Sequence, residues 1–349
     1  MKKLFSLIII TISIVSILAG CSSKAPKAPS SSTDPVSKTE FFMGTSVKIT
    51  LYDHQQDQIF TEVFDRIKQI EERLSINEEG TEIDKINEAA GVSAVKVSED
   101  AFINIKEGLE YSRLTEGSFD ITVGPLVKLW SIGLPEAKVP TQVEIEQALP
   151  LINYQDVVLD EEASTVYLKN KGMMIDLGSI AKGYTADVIA EMLKEKGVQR
   201  ALIDLGGNIY ALGSHPEGRP WNIGIQSPYS TRGEIIGYLP IENKSVVTSG
   251  VYERYIEQDG KKYHHILNPF TGYPYDNEIL GVTIISDKSI DGDALSTSVF
   301  SKGLQGGMEF IETQSDIDAI FITKENKVYV TSGIKDSFVL QDTSFTLTD

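Results

Sequence analysis

The stretch Met174-Ile-Asp-Leu-Gly-Ser-Ile-Ala-Lys-Gly-Tyr-Thr-Ala-Asp187 limits most sharply what this chain can fold into. An apolar strand, Val166 to Ile175, runs into it, and an amphipathic helix leaves it and continues to about Lys196. Asp176, Gly178, Ser179 and Lys182 crowd the turn between them. A helix starting at Ser179 or Ile180 aims unpaired backbone N–H groups and its positive dipole end at that turn, which suits an anion such as phosphate. Gly178 and Gly183 leave room for a ligand or a second backbone. By itself the stretch reads first as an ordinary strand–turn–helix junction capped by Asp176, so the rest of the chain decides.

The N-terminus reads as an export signal and is set aside from the fold. Lys2 and Lys3 precede a largely apolar run, Leu4 to Leu18, and Leu18-Ala-Gly-Cys21 then leads to the chain's only cysteine. That spacing looks like a bacterial lipoprotein signal, with residues 1–20 removed and lipid attached to the Cys21 thiol. A retained membrane anchor or a plain cleaved signal is the simpler alternative. With one cysteine no intrachain disulfide forms, so core packing must supply the stability. Removing residues 1–20 takes away two lysines, so the formal charge of −18 becomes about −20 (30 basic less 50 acidic residues). Such a surface excludes nucleic acid as a partner and adhesion to anionic lipid by charge, but it accommodates a metal that brings its own positive charge. Residues 21–38, rich in Ser, Pro, Ala and Lys, read as the lipidated cysteine and a disordered tether. Residues 39–349 suffice for one large domain or two closely packed lobes.

Within that domain, Glu40 to Tyr52 has strand composition, and 57–74 puts Phe60, Val63, Phe64, Ile67, Ile70 and Leu74 on one helical face. A second helix spans 98–115 with Ser98 as its cap, and a short third begins at Thr141. The segment 117–127 is too rich in Gly and Pro for a regular element. A hairpin folds about 161–164 and feeds the central turn, and 201–213 reads as a buried strand interrupted by two glycines. Strands at 221–226, 234–239, 245–249, 252–258 and 280–286, a helix from Asp291, and two closing strands within 319–332 complete the series. Strands and helices do not alternate strictly, so the fold class is α+β, with mixed or antiparallel sheets and flanking helices.

A second oxygen-rich cluster is Asp291, Asp293, Ser296 and Thr297. On a helix, Asp293 and Thr297 share one face, and a carboxylate and a hydroxyl one turn apart can hold a hard cation such as Mg²⁺. Simple capping by Asp291 or Asp293 is the plainer reading. The four histidines, His54, His215, His264 and His265, have no spacing for zinc. His264 and His265 point to opposite sides of a strand, so at most one faces a given pocket. No Walker loop, Gly-x-Gly-x-x-Gly fingerprint or Gly-x-Ser-x-Gly elbow occurs.

Taken in order, eight short motifs resemble the ApbE family, the FAD:protein FMN transferases, over essentially all of residues 39–349. They are Phe42-Met-Gly-Thr45; Ser75-Ile-Asn77 with Glu82-Ile83 and Asn87; Gly117-Ser-Phe-Asp-Ile-Thr-Val-Gly-Pro-Leu126; Asp176-Leu-Gly-Ser-Ile-Ala-Lys-Gly-Tyr184; Asp204-Leu-Gly-Gly-Asn208; Thr248-Ser-Gly250; His265-Ile-Leu-Asn-Pro269 with Thr271-Gly272; and Asp293-Ala-Leu-Ser-Thr297. The resemblance implies an ApbE-like fold, two lobes around a flavin site, and an enzyme that binds FAD with Mg²⁺ and cleaves its pyrophosphate. FMN passes to a threonine hydroxyl of an exported flavoprotein as a phosphoester, and AMP leaves. Metal ligands fall on Asp293, Thr297 and the backbone carbonyl of Ser179. Flavin contacts fall on Met43, Asn77, Ser118, Phe119, Asp120, Asp176, Lys182 and Ile266, with Met43, Phe119 and Ile266 packing the ring. The catalytic set is His265, taking the threonine proton, with Lys182 and Asp176. Asn77 stands where many relatives carry tyrosine, and Asn268 where many carry aspartate.

The expected acceptors are exported proteins with a Ser/Thr-Gly-Ala-Thr-like sequence, such as FMN-binding domains and redox-pump subunits. This chain lacks such a sequence and so resembles the modifier. The expected location is the outer face of the bacterial cytoplasmic membrane, through the lipid on Cys21. Two alternatives stand beside this: an FAD pyrophosphatase that releases FMN and AMP, and a flavin-binding lipoprotein without turnover.

Overall fold

The computed structural model describes residues 34–230 and 233–348. The chain opens with β1 (Val36–Phe42), β2 (Thr45–Leu51), α1 (Asp57–Leu74), α2 (Glu82–Glu88), β3 (Val95–Lys96), α3 (Glu99–Leu114), α4 (Gly124–Trp130) and α5 (Gln142–Ala148). Then come β4 (Val157–Asp160), β5 (Thr165–Leu168), α6 (Ala181–Glu195), β6 (Ala201–Leu205), β7 (Asn208–Leu212), β8 (Trp221–Gln226), β9 (Ile235–Ile241) and β10 (Lys244–Gly250). The remainder is β11 (Tyr255–Gln258), β12 (Lys261–His264), β13 (Ile279–Ser286), α7 (Ser289–Ser301), α8 (Gly303–Glu312), β14 (Asp318–Thr323), β15 (Lys327–Val330), β16 (Val339–Leu340) and β17 (Thr346–Thr348).

Nine strands make the central sheet, in the order β1-β2-β6-β7-β10-β13-β14-β15-β17, antiparallel except for the parallel pair β15–β17. Its middle strands are apolar on both sides because both sides are covered. Val282 and Ile284 of β13, with Ala319 and Phe321 of β14, pack against Leu295, Val299 and Phe300 of α7 and Ile311 of α8. The alternate residues Ile285, Ile320 and Ile322 meet Ile223, Ile225 and Ile236 of a second sheet, β16-β9-β8. Farther along, α1 and α6 bury Phe60, Val63, Ile67, Ile189 and Leu193 on Val47, Ile49 and Ile203 of β2 and β6. Each such fully buried side chain contributes about 1.5–3 kcal/mol. A third small sheet, β3-β5-β4, closes a core with α2, α3 and the start of α6. The class is α+β, and the described residues fall in one compact unit.

Several sequence expectations change here. The strand expected over 166–175 ends at Leu168; the chain turns at Gly172 and re-forms only a single parallel bridge, Met174 with Val123. The expected tether stops short of Lys38, because Val36 to Phe42 pair in register with β2. Residues 40–52 are a hairpin, since Met43 (φ 52°) and Gly44 (φ 69°) form a two-residue turn of left-handed backbone. The two glycines in 201–213 do the same: Gly206 (φ 68°) and Gly207 (φ 97°) fold β6 back on β7. In 117–127 the Gly-Pro pair begins α4, with Pro125 in its first turn, where a missing N–H costs nothing. Helix α8 was not anticipated, and α7 begins at Ser289, two residues earlier than expected. The signal, Cys21 and most of the tether lie outside the described residues.

Candidate active site

The turn before α6 is held from three sides. Asn87 clamps Ile175, donating to its carbonyl at 3.1 Å and accepting from its N–H at 2.7 Å. The Asp176 N–H donates to the Ile121 carbonyl at 2.8 Å. The Asp176 carboxylate, 8% exposed, accepts from the Gly178 N–H at 2.6 Å. Burial raises its pKa, and the Gly178 N–H, then Arg254, Lys128 and Lys182, pull it back. Three cations therefore act on one buried carboxylate in a chain of net charge −18. Lys128 and Arg254 are exposed, and neither has a carboxylate partner among the described residues.

Helix α6 carries this turn onto α7. Gly183 makes the crossing possible: a Cβ there would run into the Ser289 carbonyl and come within 2.7 Å of the Ile290 Cα. The contact brings Asp293, 4% exposed, against the start of α6. The Gly183 N–H donates to Asp293 Oδ2 at 2.9 Å, and the Lys182 ammonium donates to the two carboxylate oxygens at 3.1 and 3.3 Å. The same ammonium reaches back to the Gly178 carbonyl at 3.2 Å. Asp293 thus does not cap its own helix; it accepts instead from the first turn of α6. Asp187, on α6, caps α7 instead, accepting from Ser289 N–H at 2.7 Å and Ile290 N–H at 2.9 Å. Burial pushes the Asp187 pKa up to about 6.

The oxygen cluster on α7 divides by helical phase. Asp291 faces away from Asp293 and accepts from the Tyr111 hydroxyl at 2.7 Å. Ser296 is committed to the Asp293 carbonyl at 2.9 Å and to Ser249 at 2.7 Å. Thr297, half-buried one turn beyond Asp293, has a hydroxyl without a hydrogen bond among the described residues. No cluster of three His, Cys, Asp or Glu occurs among the described residues. One buried carboxylate, a free hydroxyl a turn away and carbonyls at a helix start fit Mg²⁺, which takes few protein oxygens and fills its shell with water and phosphate. The carbonyl already used by a cation is that of Gly178, next to the expected Ser179.

The paired histidines separate as expected. His264 lies against Phe300 (ring centroids 5.8 Å apart), with Nε2 on the Tyr275 carbonyl at 2.7 Å and Nδ1 accepting from Ile266 N–H at 3.3 Å. His265 turns the other way. Its N–H and its Nδ1 both sit 3.2 Å from the Arg254 carbonyl. Burial, then the Arg254 charge, pushes its pKa down to about 3, so its imidazole is neutral at pH 7.

The remaining expected residues fall around this centre with distinct jobs. Asp120 is spent inside its turn, accepting from Thr122 N–H and hydroxyl (2.8 and 2.7 Å) and from Tyr154 N–H (3.0 Å). Ser118 accepts at its carbonyl from the Tyr275 hydroxyl, 2.9 Å away, which ties this turn to the one after His265. Phe119 and Ile266, each 3% exposed, are core side chains and offer no open ring-packing face, contrary to expectation. The exposed aromatic here is Phe270 (63%), whose ring borders Gly117. Met43 is held by its N–H on Glu71 at 2.5 Å and by the Thr185 hydroxyl on its sulfur at 3.6 Å. Asn77 is exposed and accepts from Lys128 at 3.1 Å. Sequence reasoning missed Arg254, Lys128 and Asp187; in one sequence each is only a lone charge.

Oxygens for a hard cation, unpaired cations and a helix N-terminus around one turn define a site for a phosphate-bearing ligand. The ApbE family model matches residues 43–321. A curated FAD:protein FMN transferase of Klebsiella pneumoniae (strain 342) is 41% identical, covering 88% of this chain and 95% of that protein. One of Treponema pallidum (strain Nichols) is 34% identical, covering 89% and 91%. Among solved structures, the ApbE protein of Thermotoga maritima superposes with TM-score 0.79 at 31% identity, over 86% of this chain and 98% of that one. The flavin transferase ApbE of Vibrio cholerae gives 0.78 at 28%, over 87% and 99%. The chain belongs to the ApbE family.

Proposed function

We propose that this protein transfers FMN from FAD to a threonine hydroxyl of an exported acceptor and releases AMP, with Mg²⁺ bound at Asp293, Thr297 and a carbonyl of the Gly178–Ser179 turn. The observation that carries the reading is the buried Asp293 carboxylate brought to the start of α6, where Lys182 pairs with it and Lys128 and Arg254, without carboxylate partners among the described residues, act on the same turn. A bound Mg²⁺ supplies neutralisation of phosphate charge, the main demand of phosphoryl transfer. Lys128, Lys182 and Arg254 add to that neutralisation and orient the pyrophosphate. His265, neutral at pH 7, accepts the threonine proton as the hydroxyl oxygen attacks the FMN phosphorus. The bond from that phosphorus to the bridging oxygen breaks, and AMP leaves with the bridging oxygen and finally the proton. Phe270 provides a flat apolar surface beside the Ser118 turn for the flavin. The acceptor presents its threonine in a Ser/Thr-Gly-Ala-Thr-like sequence, and lipid on Cys21 holds the enzyme at the outer face of the cytoplasmic membrane.

His265 is half-buried and its imidazole would serve a water nucleophile as well as a threonine, which makes pyrophosphatase action the second reading. Chromatography of products separates them. Transfer yields AMP in step with loss of free acceptor and without free FMN. Equal FMN and AMP with an unmodified acceptor would reverse the order of the two readings.

A further inference from the structure

Lys182 stands where a cation is least welcome. It occupies the first turn of α6, whose dipole presents positive charge there, and that turn contains no acid. What holds it is Asp293: two carboxylate oxygens at 3.1 and 3.3 Å, with the Gly178 carbonyl at 3.2 Å, surround the ammonium. Three oxygens from a carboxylate and a peptide group are also the donors that a hard cation takes. The Asp293 side chain is 5% exposed and needs a counter-charge, whereas Lys182 is 24% exposed and can swing outward.

We propose that Lys182 is a resident placeholder cation: in the metal-free protein it neutralises Asp293 within the metal's own oxygen set, and an incoming divalent ion must displace it. Metal loading then frees the ammonium for the phosphate of the arriving ligand, so one event completes both charges of the site. This rests on the metal site proposed above.

The test measures metal binding without flavin or turnover. Mn²⁺ is titrated by electron paramagnetic resonance, and the rise in Tm with Mg²⁺ is recorded, for wild type, Lys182→Met, Lys182→Arg and Asp293→Asn. Removing the competing charge should tighten Mn²⁺ binding in Lys182→Met by at least about tenfold. The same variant should melt lower without metal and gain more from Mg²⁺ than wild type. Lys182→Arg should show neither change. Lys182→Gln, which keeps an N–H for the Gly178 carbonyl, replaces Lys182→Met if that variant does not fold without metal. Wild-type binding with equal or weaker binding in the neutral variants would overturn the placeholder and leave the metal site standing. No binding in any of the proteins, or binding unaffected by Asp293→Asn, would overturn both.

Discussion

At the scale of single residues, the two adjacent histidines have opposite duties. His264, half-buried against Phe300, joins the Tyr275 carbonyl to the Ile266 N–H, so His264→Ala should lower stability by about 1–3 kcal/mol, read by urea unfolding, through stranded polar groups. His265→Ala should leave stability nearly unchanged and abolish transfer while FAD still binds. Equal loss of transfer in the two variants at temperatures where both are folded would overturn the assignment. The His265 pKa is depressed below its unfolded value of about 6.5, so the unfolded chain binds the extra proton. Protonating it opposes folding, so stability is unaffected above that pH and falls as pH drops from about 6.5 toward about 3. Arg254 is part of the cause, after burial. Arg254→Met should therefore move the acid limb of the transfer rate upward, by up to about one pH unit, with NMR of the ring reporting the same shift. An unmoved limb would remove Arg254 from that role. Asp293 lies buried against Lys182 and the Gly183 N–H of α6, so the cost of Asp293→Ala should be about 1–3 kcal/mol. That is below the loss for a fully buried pair because Lys182 is partly in water.

Among the elements, the α6–α7 crossing decides whether the site exists. Gly183→Ala should force the helices apart at the Ser289 carbonyl, cost about 1–3 kcal/mol and separate Lys182 from Asp293. Calorimetry together with Mn²⁺ titration checks both effects, and an unchanged Tm would show that the crossing tolerates a Cβ. Asp187→Ala removes the cap of α7 and should cost about 0.5–2 kcal/mol. The Asp187 pKa is raised to about 6, so ionising it opposes folding, and that penalty grows as pH rises from about 4 to 6. Asp187→Asn should flatten stability across that window. The helices with complete apolar spacing were legible in the sequence: 57–74 formed with every expected core residue buried. The hairpins at Met43-Gly44 and Gly206-Gly207 were not, because left-handed backbone in a two-residue turn looks like an interruption of one strand. Helix α8 was hidden by three glycines in ten residues. Asp293 and Lys182 are 111 residues apart, so their pairing is a product of packing alone; local patterns had marked each one separately, and only the order of short motifs placed them in one site.

For the whole molecule, the sheet is a covered platform whose helical side carries the site. Among the described residues no helix is long and apolar enough to cross a membrane. Attachment is proposed to rest on the lipid at Cys21, and cells fed a labelled fatty acid should incorporate the label into the wild-type protein and not into Cys21→Ala. An unlabelled wild-type protein would contradict a lipid anchor. The central claim is that the turn before α6 and the face of α7 together transfer FMN. The most direct test weighs an acceptor domain after incubation of the protein from Ser22 onward with FAD and Mg²⁺. The account predicts a gain of one FMN less one water on the acceptor threonine, lost with a chelator and in Asp293→Asn. An acceptor of unchanged mass beside intact FAD would contradict it.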